Sequence, residues 1–132
     1  MRYTILMSPS KKTVLVIEDS LYLAESLADM LNIKGYEPIL AQNGRDGLRL
    51  AIEEEPNLIL LDIRLPDIDG YEVFHGVRQT KWGKNAKILI LTASESIENI
   101  SKNIDLPKEY ILFKPEWSMS DLLKKMESVL SD

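Results

Sequence analysis

The chain has 132 residues, enough for one domain, and its 45% apolar and 28% charged residues suit a soluble globule with a sizeable core. A formal net charge of −5 argues against a nucleic-acid binder, which wants a basic face toward phosphates. With no cysteine there is no disulfide, thiolate metal site or thiol nucleophile, and no apolar run approaches the about 20 residues of a membrane helix. A cytoplasmic protein is expected.

Residues 1–12 read as an N-terminal arm, with Met7 as an alternative start, and residues 13–131 as the domain. Thr13 to Ile17 is a β-rich apolar run ending abruptly in Glu18-Asp19. Ser20 is a candidate N-cap for a helix carrying Leu23, Leu27, Met30 and Leu31, which should end near Gly35. Glu37 to Gln42 reads as a short strand. Asn43-Gly44 then opens a helix carrying Leu48, Ala51 and Ile52, stopped before Pro56.

Leu58-Ile59-Leu60-Leu61-Asp62 is the most informative stretch. A short apolar run feeding a loop rich in Pro, Asp and Gly reads as a strand buried on both faces. Asp69, with Glu72 three residues later, caps a helix whose inner face is Val73, Phe74 and Val77. His75, the single histidine, falls on its outer side. Lys87 to Thr92 is a fourth strand, and Ile97, Ile100 and Ile104 mark a helix fraying before Pro107. Tyr110 to Lys114 is a fifth strand, and Leu122, Met126, Val129 and Leu130 form the inner stripe of a last helix. Five alternations of strand and helix imply a parallel sheet covered on both faces.

Parallel strands with right-handed crossovers bring their carboxyl ends to one edge, where open α/β sheets place their sites. That edge would collect Glu18, Asp19, Asp62, Thr92 and Lys114. Three carboxylates packed together repel, so one must protonate or a cation must bind. An all-oxygen set suits a hard ion such as Mg²⁺ (or Mn²⁺). The ion and the Lys114 ammonium could draw a phosphoryl group to the Asp62 carboxylate, with Thr92 donating to a phosphoryl oxygen.

These motifs, Val16-Ile17-Glu18-Asp19, Leu60 to Gly70, Leu91-Thr92-Ala93 and Phe113-Lys114-Pro115, together resemble the receiver domain of two-component response regulators. The spacings agree: Asp62 follows Asp19 by 43 residues, Thr92 follows Asp62 by 30, and Lys114 follows Thr92 by 22. The resemblance implies a flavodoxin-like doubly wound α/β fold with strand order 2-1-3-4-5 and five helices. It implies that Asp62 accepts phosphate from the phosphohistidine of a sensor histidine kinase or phosphotransfer protein. It further implies that Asp19, Asp62 and the backbone carbonyl of Arg64 bind Mg²⁺ directly, with Glu18 acting through water. Thr92 and Lys114 would contact the phosphoryl group, Lys114-Pro115 would be a cis peptide, and Arg64 and Ser94 would tune the dephosphorylation rate. The product would be a phosphorylation-dependent signal to a downstream protein target, from a monomer or phosphorylation-dependent dimer. The chemistry would be Mg²⁺-dependent self-phosphorylation and autodephosphorylation, without enzymatic turnover of a substrate.

Three features depart from the family pattern, one being Ile104-Asp105-Leu106-Pro107-Lys108 where the family often has a small Gly-Ala turn. The position three before Lys114, often aromatic, is Ile111, and Tyr110 precedes it on the opposite strand face. Trp117, in a segment one residue longer than usual, is a candidate docking aromatic. Other readings are a receiver module of a larger or hybrid signalling protein, and a phosphorylation-independent docking module with a degenerate site. A haloacid-dehalogenase-like phosphatase would need a second acid two residues after Asp62, where Arg64 stands.

Overall fold

The computed structural model describes residues 11–131; residues 1–10, most of the expected arm and including Met7, lie outside the described residues. Five strands, β1 (Thr13–Ile17), β2 (Glu37–Ala41), β3 (Leu58–Asp62), β4 (Ile88–Thr92) and β5 (Ile111–Phe113), form one parallel sheet in the order β2-β1-β3-β4-β5. They alternate with helices α1 (Leu21–Ile33), α2 (Gly44–Glu54), α3 (Gly70–Arg78), α4 (Ile97–Asn103) and α5 (Met119–Leu130). The expected fold class and strand order are those observed.

Strand alternation divides the core in two. Leu15, Ile17, Ile59, Leu61, Ile88, Ile90 and Ile111 face α2, α3 and α4, where Ala51, Val73, Phe74, Val77 and Ile100 meet them. Val14, Val16, Leu58, Leu60, Leu89, Leu91 and Leu112 face α1 and α5, where Leu27, Leu31, Leu122, Met126 and Val129 close the layer. Each fully buried aliphatic side chain stabilises by about 1.5–3 kcal/mol, so the central strands anchor the fold. Their interior position also fixes where their carboxyl ends lie.

The helix starts follow local chemistry. Ser20, Asn43, Asp69, Ser96 and Ser118 each accept a backbone N–H from the first turn of the helix they precede. Helix α1 ends at Lys34, followed by Gly35 with φ +90, a conformation that favours glycine. On α2 the buried residues are Gly44, Gly47 and Ala51, with Gly47 against Ile17 of β1, which turns Ile52 outward to 47% exposure. Ile52 is therefore not the inward residue that its spacing predicts.

Tyr110 belongs to a 3₁₀ turn, Lys108–Tyr110, rather than to β5. Its ring packs on the α1/α5 side beneath the Lys125 ammonium, 5.4 Å from the ring centroid, whereas Ile111 is buried on the other face. Trp117 is half-buried against the α1/α5 layer, and His75 is exposed, edge-on to Phe74.

Candidate functional site

Register explains which groups meet. Ile17 pairs with Leu61, so the residue after β1, Glu18, lies beside the last residue of β3, Asp62. Both carry the alternation parity of the α1/α5 face: Glu18 follows Val14 and Val16, and Asp62 follows Leu58 and Leu60. Lys114 continues the parity of Leu112 on the same face. Its ammonium donates to Glu18 Oε1 at 2.7 Å and to Asp62 Oδ2 at 2.9 Å. The Glu18 and Asp62 side chains are 2% and 5% exposed, and that of Lys114 is 23% exposed. The remaining oxygens take backbone donors: Ser20 N–H to Glu18 Oε2 at 3.0 Å, and Arg64 N–H to Asp62 Oδ1 at 3.0 Å.

Asp19 is exposed and adds a third carboxylate, and oxygens from Glu18, Asp19 and Asp62 all lie within 4.8 Å of one another. Three carboxylates then face one ammonium. Burial pushes the Glu18 carboxyl above its usual range, and the Asp62 charge adds to this, against the bonds from Lys114 and Ser20. Burial also works against the Lys114 charge, yet the hydrogen bonds and charges of Glu18 and Asp62 outweigh it and hold the amine above its usual value. A cluster short of positive charge, with only oxygen donors, fits a hard divalent cation.

The Thr92 hydroxyl makes its hydrogen bonds outside this group. Thr92 continues the parity of Ile88 and Ile90, toward α3 and α4, not that of Leu89 and Leu91. Its buried hydroxyl donates to the Glu95 carbonyl at 2.8 Å and accepts the Glu95 N–H at 3.0 Å. The Lys114-Pro115 peptide is trans; the chain continues into a 3₁₀ turn, Lys114–Glu116, in which Trp117 N–H reaches the Lys114 carbonyl. This corrects the cis geometry expected there, and trans is the lower-energy isomer even before proline.

The loop after Asp62 is pinned at several points. Gly70 N–H donates to the Ile63 carbonyl at 2.8 Å, and a Cβ at Gly70 would stand 2.7 Å from the Asp62 carbonyl oxygen, so only glycine lets α3 start this close to the strand. Asp67 reaches across to α2, accepting Gly44 N–H at 2.7 Å and Arg45 N–H at 2.9 Å. Lost hydration opposes the Asp67 charge, but these backbone donors prevail and hold its carboxyl at about 2. Sequence reasoning missed Asp67, because no local spacing relates it to a helix 22 residues upstream.

The chain matches the response regulator receiver domain family over residues 14–127. Response regulator MprA of Mycolicibacterium vanbaalenii is 35% identical over 117 residues, covering 89% of this chain and 49% of its own length. The chain thus spans about half the length of that curated relative. Among solved structures, chemotaxis response regulator CheY4 of Vibrio cholerae aligns with a TM-score of 0.78 at 28% identity, covering 91% of this chain and 99% of that one. The receiver domain of sensor histidine kinase PA1611 from Pseudomonas aeruginosa, solved with magnesium in its active-site cleft, shares the fold with a TM-score of 0.79 at 24% identity, covering 93% of this chain and all 100% of that one. A family match across nearly the whole described domain, together with relatives of this kind, establishes that the chain belongs to the response regulator receiver domains.

Proposed function

We propose that the domain accepts a phosphoryl group on Asp62 from the phosphohistidine of a sensor histidine kinase or phosphotransfer protein, and signals by binding a downstream protein in the phosphorylated state. The observation that carries this reading is the Asp62 carboxylate at the end of a buried strand, 2.9 Å from the Lys114 ammonium and clustered with two further carboxylates. In the transfer, an Asp62 oxygen attacks phosphorus while the P–N bond breaks, its electron pair leaving on the imidazole. A mixed anhydride forms on Asp62. Lys114 has three N–H donors; two serve Glu18 and Asp62, and the third is directed to a phosphoryl oxygen. Glu18, Asp19 and Asp62, with the Arg64 carbonyl, are the residues that would hold Mg²⁺ or Mn²⁺, and the bound ion supplies charge neutralisation at the phosphoryl oxygens. The magnesium of the PA1611 receiver supports this choice of ion. Thr92 contributes its hydroxyl once it turns from Glu95. Arg64 and Ser94 border the approach of the water that ends the phosphorylated state.

The chemistry is a single acceptance and self-hydrolysis rather than turnover. The greater length of MprA favours an output carried on further sequence, so this domain would then be the receiver module of a larger signalling protein. No helix among the described residues is long and apolar enough to cross a membrane.

Beryllofluoride mimics an aspartyl phosphate. Titrated with Mg²⁺ against Trp82 and Trp117 fluorescence and amide NMR shifts, it is expected to give a saturable, Mg²⁺-dependent response that is lost in Asp62→Asn. No change in either signal at millimolar ligand would overturn the phosphoacceptor reading.

A further inference from the structure

The position that is often aromatic in this family holds Ile111, buried, so this chain must hold Thr92 by other means. A hydroxyl has one proton to donate, and that of Thr92 goes to the Glu95 carbonyl. Thr92 therefore cannot serve a group on Asp62 without releasing the loop between β4 and α4. That loop is tied down at a second point. The Glu95 carboxylate accepts the Tyr71 hydroxyl at 2.6 Å and also the Asn99 side-chain amide. Tyr71 is the second residue of α3, directly after Gly70, whose backbone abuts the Asp62 carbonyl. The loop holding Thr92 is thus fastened to the segment that carries the phosphoacceptor.

We infer that Tyr71, acting through Glu95, is a positioning residue that holds the Thr92 hydroxyl away from Asp62 and sets how readily Thr92 is recruited to a phosphoryl group. The inference rests on the proposed phosphoacceptor function. Burial, then the bond to Glu95, raise the Tyr71 hydroxyl above its usual range, so it stays protonated and donating at physiological pH. The bond is only half-buried, and a net contribution typical of an ordinary hydrogen bond corresponds to an about three- to tenfold change in an equilibrium.

The test uses Tyr71→Phe, which keeps the ring that packs on the α2/α3/α4 layer and removes only the oxygen. Apparent affinity for beryllofluoride at saturating Mg²⁺ is measured for wild type, Tyr71→Phe, Thr92→Val and the double variant. The expected result is an about three- to tenfold tighter affinity in Tyr71→Phe, with the double variant equal to Thr92→Val alone. A merely structural role would lower the thermal midpoint and leave affinity unchanged or weaker. Unchanged or weaker affinity in Tyr71→Phe overturns the inference, as does a gain that persists in the Thr92→Val background. A wild type without any beryllofluoride response overturns the phosphoacceptor function and this inference together, whereas a responsive wild type with no gain in Tyr71→Phe overturns the inference alone.

Discussion

At the amino edge of the sheet, Lys12 and Lys87 reach the last carbonyls of α5, donating to Leu130 at 2.7 Å and to Val129 at 2.9 Å. These cations meet the negative end of a helix dipole, and the two partners are matched. At the carboxyl edge, Lys114 bonds two of three clustered carboxylates, and the balance is left negative. Asp67 lies at that same edge, yet two backbone N–H groups answer it. The contrast between Glu18, pushed up by burial, and Asp67, held down by helix N–H groups, separates a charge recruited for structure from charges kept for a ligand. What matters is whether the fold itself completes the charge balance.

The largest way to break this comparison is Lys114→Met. It leaves buried Glu18 and Asp62 without their ammonium, and removing one partner of such a pair costs about 3 kcal/mol or more. Urea denaturation in EDTA should show that loss at pH 7, with added Mg²⁺ restoring a part of it. Equal stability with and without Mg²⁺ would mean that the cluster does not take a cation. At the other edge, Lys12→Met removes one exposed cation from a helix end and should cost about 0.3–1 kcal/mol in the same assay. Its Mg²⁺-dependent beryllofluoride response should be that of the wild type.

The smallest effect at neutral pH belongs to Asp67→Asn, since asparagine also caps helix N-termini well. The difference appears in acid. The Asp67 carboxyl titrates at about 2 in the folded chain, against an ordinary 3.8, so its stabilising contribution is present above pH 3.8 and is lost as pH falls through about 2. The thermal midpoint of wild type should therefore fall relative to that of Asp67→Asn over that window. Parallel curves would show that the carboxylate's bonds to Gly44 and Arg45 add nothing.

How much of this was legible in the sequence depends on range. Asp62 could be found because Leu58 to Leu61 announce a buried strand and a turn signal follows at once. The caps at Ser20, Asn43 and Asp69 are local, and local chemistry placed them. Thr92 is legible as the polar end of an apolar strand, but the turn that engages its hydroxyl with the Glu95 backbone is not, because it depends on how the loop after β4 folds back. The Asp67 bridge to α2 and the Tyr71–Glu95 bond were not legible, because each joins residues whose proximity only the packed helices create. Ile52 is exposed for a related reason: Gly47, packed on Ile17, and not the larger side chains, marks the face of α2 that meets the sheet.

Helix α4 has seven residues and a single buried one, Ile100, whereas α5 has twelve residues and five buried ones. Helices this short draw little stability from their own hydrogen bonds, so α4 is held mainly by its neighbours. In the language of hydrogen exchange such an element is expected to open at low energy, its amides losing protection while those of the sheet keep it. The element that follows Thr92 and Glu95 is therefore also the one whose conformation is cheapest to remake. A partner that selects the remade form can do so while both hydrophobic layers remain closed.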